Sequence, residues 1–357
     1  MYSLSRSKAF GSVARCVPTK PLIRVPAPIR NSASVVGQPV VEAGQEESPH
    51  QQVTLIDGRE LGFAMYGAST GPALFHFHGN PSSRLEAADF DKLGRQLGAR
   101  IIGVDRPGMG LSTFYPNRKL TNWPMDVTEL AQYLGVDSFG VLGVSGGGPY
   151  ALACARYIPP EQLRAVGVVA GWGPWDRETI QHLGFATWLR VHLYSRFPKL
   201  TEMSLTGRLN RLEKEQSTGS KSSIPHPMTV LAADSEKLST DGEGANDGKL
   251  SHKIAKLQDS IRHGTNGNAE EIRQMRTPWG FKPEEVNHEG VRLWYGTEDQ
   301  VTPIGIGRSL AKRLPGARLI EYEGLNHFEM GDKSKEIMEA MLEDVVQPQG
   351  ITSVMMV

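Results

Sequence analysis

The stretch SFGVLGVSGGGPYALACARYI, residues 138–158, decides the fold. Its first eight residues form an apolar run of strand length. The remainder, opened by three glycines, reads as a helix, so a strand at 138–145 feeds a helix at 146–158 through a turn of small residues. At the junction stands Gly143-Val144-Ser145-Gly146-Gly147, a GxSxG pattern. A residue without a β-carbon two before and two after the serine permits the close backbone approach of a sharp strand-to-helix turn, and Gly143 and Gly147 supply it. That turn projects the Ser145 hydroxyl above the carboxyl edge of a sheet, where the helix starting at Gly146 adds free N–H groups. A phosphate loop needs Gly-Lys-Ser/Thr, and a dinucleotide loop needs GxGxxG after the first strand. Neither pattern is present, and Ser145 reads as a nucleophile.

Outward from this junction the chain alternates. VTLIDG (53–58) and ELGFAMYG (60–67) flank an Asp57-Gly58 turn and predict an antiparallel hairpin. ALFHFHG (73–79), ARIIGVD (99–105) and RAVGVVAGW (164–172) read as buried strands, with helices at 84–97 and 124–135 between them. The alternation stops at about residue 172 and resumes with VRLWYG (291–296), a helix at 303–314, ARLIEYEG (317–324) and a helix at 332–346. Alternating strands and amphipathic helices imply an α/β protein with a sheet covered on both faces. Residues 50–172 and 290–347 form its core, and 173–289 form a helical cap inserted after the sixth strand. Within that cap, 177–197, 203–215 and 250–263 read as helices, whereas QSTGSKSS (216–223) and DGEGANDG (241–248) read as loops.

A serine hydroxyl needs a base, and the base needs a carboxylate to fix its tautomer. His327, in GLNHFEM after the last strand, is placed for the first role, and Asp299, in GTEDQVTP after VRLWYG, for the second. Glu298 and Asp176 compete with Asp299; the chain order Ser…Asp…His favours Asp299. The oxyanion formed in acyl transfer needs two donors. The N–H of Gly146, next to the serine, and the N–H of Asn80, in the His78-Gly79-Asn80-Pro81 loop, are expected to supply them. The loop Asp105-Arg106-Pro107-Gly108-Met109-Gly110-Leu111-Ser112 reads as a shaped turn in which Asp105 and Arg106 hold neighbouring loops.

HGNP, DRPGMGLS, GVSGGG, GTEDQVTP and GLNH, in that order, resemble the α/β-hydrolase fold superfamily over about residues 53–346, and TPWGF (277–281) is similar to its lidded members. The resemblance implies an eight-stranded, mostly parallel sheet, no required cofactor or metal, and serine-dependent hydrolysis through an acyl-enzyme. Subgroups with an aspartate nucleophile fit poorly, because position 145 is Ser. Asn326 stands where many relatives carry Gly, which bears on the shape of the loop before His327. The leading expectation is a carboxylic-ester hydrolase acting on a small, largely apolar molecule. Trp172, Trp175, Phe185, Trp188, Trp279 and Phe281 are available to line a lid cavity. Carbon–carbon, lactone or peptide cleavage, perhydrolysis, and ligand binding without turnover are the alternatives on the same architecture.

Composition narrows the partners. The 357 residues carry 39 basic and 39 acidic side chains, which lacks the global charge of a nucleic-acid binder. Cys16 and Cys154 are far apart, which excludes a disulfide scaffold and a Cys-based zinc site. No apolar run approaches the roughly 18 to 20 residues of a membrane span. Residues 1–41 hold Arg6, Lys8, Arg15, Lys20, Arg24 and Arg30 and no acid, and are rich in Ser. Residues 1–45 are therefore expected to lie outside the fold as a basic leader with the composition of a mitochondrial transit peptide; a cytoplasmic protein with a basic tail is the alternative.

Overall fold

The structure, a computed structural model, describes residues 50–219, 243–288 and 290–346. The stretch 1–45, read from the sequence as a leader, lies outside the described residues, as does the second half of the loop read at 216–223.

Eight strands form one sheet: β1 (Gln51–Thr54), β2 (Glu60–Gly67), β3 (Ala73–Phe77), β4 (Arg100–Val104), β5 (Phe139–Val144), β6 (Leu163–Val169), β7 (Val291–Gly296) and β8 (Arg318–Tyr322). Their spatial order is β1-β2-β4-β3-β5-β6-β7-β8. The hairpin pairs Gln51 with Phe63 and Thr54 with Glu60, and β2 also runs antiparallel to β4. Every pairing from β4 to β8 is parallel. Helices α1 (Asp91–Leu97), α2 (Trp123–Tyr133) and α3 (Gly148–Tyr157) connect the first six strands. An insertion then separates β6 from β7, with five α-helices among its described residues: α4 (Arg177–Ile180), α5 (Phe185–Arg196), α6 (Pro198–Thr218), α7 (Glu243–Ser260) and α8 (Asn266–Met275). Helices α9 (Ile304–Arg313) and α10 (Ser334–Val346) complete the core.

Period-two alternation puts Phe75 and Phe77 of β3 on one face of the sheet and Leu74 on the other. The first face packs on Trp123, Val127 and Leu130 of α2, on α3, and on Ile306 and Leu310 of α9. The second packs on Ile337, Met338 and Met341 of α10. Burial on both faces explains why the central strands read as unbroken apolar runs.

The insertion departs from its sequence reading at several points. The helix expected over 177–197 breaks at Gly184 into α4 and α5. The one expected over 203–215 extends in both directions, started by Pro198 and stopped by left-handed Gly219 (φ 63°). Residues 243–248, read as loop, are helical, because Ile254 and Leu257 further along α7 are buried and that packing outweighs the cost of glycine. Helix α8 went unread, since Asn266-Gly267-Asn268 is a poor helix start. In the core, residues 84–90 wind as a 3-10 helix, with the Arg84 N–H drawn to Asp105 Oδ1 at 2.6 Å. Strand β6 ends at Val169, and Ala170 turns to φ 47°.

Candidate active site

Three loops at the carboxyl ends of β5, β7 and β8 converge on one point. Ser145 has φ 51°, a left-handed conformation that a residue with a β-carbon adopts under strain. The turn is over-determined by its neighbours. A Cβ at Gly143 would strike the Gly147 carbonyl oxygen, and one at Gly147 would strike the Phe77 carbonyl oxygen. Only glycine fits either position. One 3-10 turn, Ser145–Gly147, then leads into α3.

His327 and Asp299 complete the line. His327 Nε2 lies 3.1 Å from Ser145 Oγ, and its Nδ1 lies 2.7 Å from Asp299 Oδ2. Asp299 is 2% exposed, and its Oδ1 accepts the backbone N–H groups of Val301 at 2.7 Å and Thr302 at 2.8 Å. Thr302 Oγ1 stands 2.9 Å from Asp299 Oδ2, 3.1 Å from His327 Nδ1 and 2.8 Å from the Ala170 carbonyl. Sequence reading missed Thr302; its place three residues after the acid was the available signal. Asn326 supplies the turn that presents His327: its Oδ1 accepts the Phe328 N–H at 2.9 Å, and its own N–H donates to Glu329 Oε2 at 2.9 Å. The competing acids lie elsewhere. Glu298 is exposed, and Asp176 caps α4 through the Thr179 N–H at 3.0 Å while accepting Arg313 Nη1 at 2.6 Å.

Asn80 and Gly146 meet beside the serine. A Cβ built on Gly146 would lie 3.5 Å from the Asn80 nitrogen, and one on Gly79 would lie 3.6 Å from Ser145 Cβ. Behind this loop Arg106 donates to the His78 carbonyl and, at 3.1 Å, to the Gly79 carbonyl. Burial and the Arg106 charge hold His78 well below the usual histidine pKa. Its neutral ring suits the two contacts it makes, Nδ1 with the Gly79 carbonyl at 2.7 Å and Nε2 accepting the Arg106 N–H at 3.3 Å. Arg106 is itself anchored from the insertion. Glu271 on α8, 2% exposed, lies 2.8 Å from Arg106 Nη2 and 3.0 Å from Arg118 Nη2, and accepts the Tyr150 hydroxyl at 3.0 Å. A second buried bridge joins Arg84 to Asp105 at 2.8 Å and to Asp259 of α7 at 2.7 Å. Asp105 and Arg106 thus hold neighbouring loops, as expected. Their partners on the insertion had no sequence signal.

A cavity of about 170 Å³ opens over Ser145 and His327, walled by Asn80 and Phe328 of the core and by α5, α6 and α8. Of the six aromatic residues expected around a lid cavity, Trp172 borders it. Trp279 borders a smaller space of about 40 Å³ beside Gly146. Phe281 packs on Trp279, Phe185 on Trp188, and Trp175 faces His192. Among the described residues no helix is long and apolar enough to cross a membrane, and no group of acidic, His and Cys side chains is arranged to hold a metal.

A hydroxyl, an imidazole and a carboxylate in sequence, at the carboxyl edge of a sheet in this strand order, define the class. Residues 72–333 match the alpha/beta hydrolase fold family, and the chain belongs to that family as an enzyme of the α/β-hydrolase fold. Among curated proteins, a bifunctional esterase/perhydrolase of Acinetobacter calcoaceticus is 32% identical over 123 residues, 33% of this chain. The match spans 44% of that relative's length. Among solved structures, the esterase EaEST from Exiguobacterium antarcticum superposes with a TM-score of 0.60 at 17% identity, covering 84% of this chain and 100% of its own. The esterase RhEst1 from Rhodococcus gives 0.58 at 19%, with 84% and 100% covered. Epoxide hydrolase VrEH1 from Vigna radiata gives 0.59 at 16%, with 84% and 97% covered, so likeness of fold alone does not select the bond cleaved.

Proposed function

We propose that the protein is a serine hydrolase that cleaves a carboxylic ester, or a related acyl bond, of a small molecule with a largely apolar acyl part. The observation that carries this reading is the unbroken contact from Ser145 Oγ through His327 to Asp299, at 3.1 and 2.7 Å. His327 takes the hydroxyl proton at Nε2 as Ser145 Oγ attacks the carbonyl carbon, and Asp299 keeps Nδ1 protonated and steadies the imidazolium. The N–H groups of Asn80 and Gly146 hold the oxyanion, and their positions are fixed before substrate arrives. His327 returns its proton to the leaving alcohol. Water, deprotonated at the same nitrogen, then releases the acid and frees Ser145. The helical insertion acts as a lid that excludes solvent from this step.

Short 4-nitrophenyl esters test the reading. The wild-type chain is expected to hydrolyse them and to be labelled on Ser145 by a fluorophosphonate. Ser145→Ala should lose both properties with its thermal midpoint unchanged, and equal turnover by the alanine variant would remove Ser145 from the chemistry. Perhydrolysis is the second reading, favoured by the match to a relative that carries both activities in its name. Peracid formed from a short carboxylic acid and hydrogen peroxide, lost in the same variant, supports it.

A further inference from the structure

The insertion turns an unexpected face towards Ser145. Thr201, Ser204, Leu205 and Arg208 of α6 all border the cavity, and their spacing of three, four and seven places them on one side of that helix. A helix face turned inward is ordinarily apolar, and this one carries two hydroxyls and a guanidinium. Arg190 of α5 also borders the cavity. Among the described residues that line the cavity there is no carboxylate.

We propose, on the basis of the acyl-hydrolase reading, that the substrate carries an anionic end group, a carboxylate or a phosphate, remote from the bond that is cleaved. Arg208 receives it. A guanidinium facing a partly enclosed space is poorly hydrated, and its planar fork matches the paired oxygens of either anion. Ser204 and Thr201, on the same face of α6, add hydroxyl donors. The scissile carbonyl then sits at the core end of the cavity, beside Asn80 and Ser145, and the anion at the insertion end. The apolar stretch between them lies against Leu205, Ile272 and Met275. Steering by the same charge raises the rate of encounter with anionic esters.

The test compares three 4-nitrophenyl esters of matched acyl length, ending in a methyl group, a carboxylate or a phosphonate. The wild type is expected to favour one of the anionic esters over the neutral one by about tenfold or more in kcat/KM, because hydrogen bonds to a charged group are worth at least that factor. Arg208→Gln should abolish the preference, so that kcat/KM for the anionic esters falls to that for the neutral one; which of the two anionic esters leads in the wild type separates carboxylate from phosphate. Equal turnover of all three esters, with ratios unmoved in Arg208→Gln, overturns the proposal while leaving the hydrolase reading standing. If no ester turns over, binding decides. Quenching of tryptophan fluorescence by the anionic esters in Ser145→Ala, abolished on adding Arg208→Gln, supports the anion site and sinks the hydrolase reading; no quenching, or quenching indifferent to position 208, overturns the anion site.

Discussion

Asp299 shows how much of the site is held by groups that never meet the substrate. Its Oδ1 is taken by two backbone N–H groups and its Oδ2 by His327, with Thr302 Oγ1 alongside. A neutral amide at this position keeps the shape but turns an acceptor into a donor, which sets His327 in the tautomer that presents Nε2–H to the serine. Asp299→Asn is therefore expected to lower kcat by roughly a thousandfold or more, with KM changed little. Steady-state kinetics on a short 4-nitrophenyl ester, with the thermal midpoint as control, checks it. A loss smaller than tenfold would mean that the carboxylate does not set the tautomer.

The elements fall into two groups by legibility, and the division has a physical cause. The strands and helices of the core follow from short-range pattern, because the central strands are buried on both faces and each helix buries one stripe. Ser145, Asp299 and His327 were legible for a related reason: each sits on a loop whose place is set by the strand before it. The start of α7, before residue 250, and the whole of α8 were not, since Gly248 and Gly267 argue against a helix and only packing outweighs them. Glu271 was hidden with α8, yet it ties the insertion to the His78–Asn80 loop through Arg106. Replacing it leaves two buried arginines, Arg106 and Arg118, without that charge. Glu271→Gln should cost about 3 kcal/mol of stability, in the range found when one member of a buried ion pair is removed. The freed Arg106 should also loosen Gly79 and Asn80 and lower kcat by about 10- to 100-fold, with KM nearly unchanged. Urea denaturation and steady-state kinetics read the two effects separately, and a rise in KM alone would assign Glu271 to substrate binding rather than to holding the loop.

Across the whole molecule, stability below neutral pH is governed in part by imidazoles buried in β3 and just beyond its end. His76 is 1% exposed and His78 0%. Burial pushes His76 below the usual histidine pKa, against the opposing pull of Glu86 and Asp89, and burial with the Arg106 charge pushes His78 further. Both rings take up a proton less readily in the folded chain than in the unfolded one, which does so below about pH 6.5. Stability is therefore untouched by these groups above about 6.5 and falls as the pH drops below it, by up to about 1.4 kcal/mol per pH unit for each histidine. His78 cannot be replaced without disturbing the Arg106 loop. His76 can: neither ring nitrogen has a hydrogen-bond partner among the described residues, Glu86 Oε1 lies 3.7 Å away, and Phe90 packs on the ring at 5.1 Å. His76→Leu should keep the fold and fall less steeply in stability between pH 7 and 5 than the wild type. Asp105, lifted by burial to about 6, acts in the opposite direction in both proteins and cancels from their difference. Urea midpoints at pH 7, 6 and 5 give that difference directly, and a gap between the two proteins that stays constant with pH would show that His76 takes up its proton in the folded state.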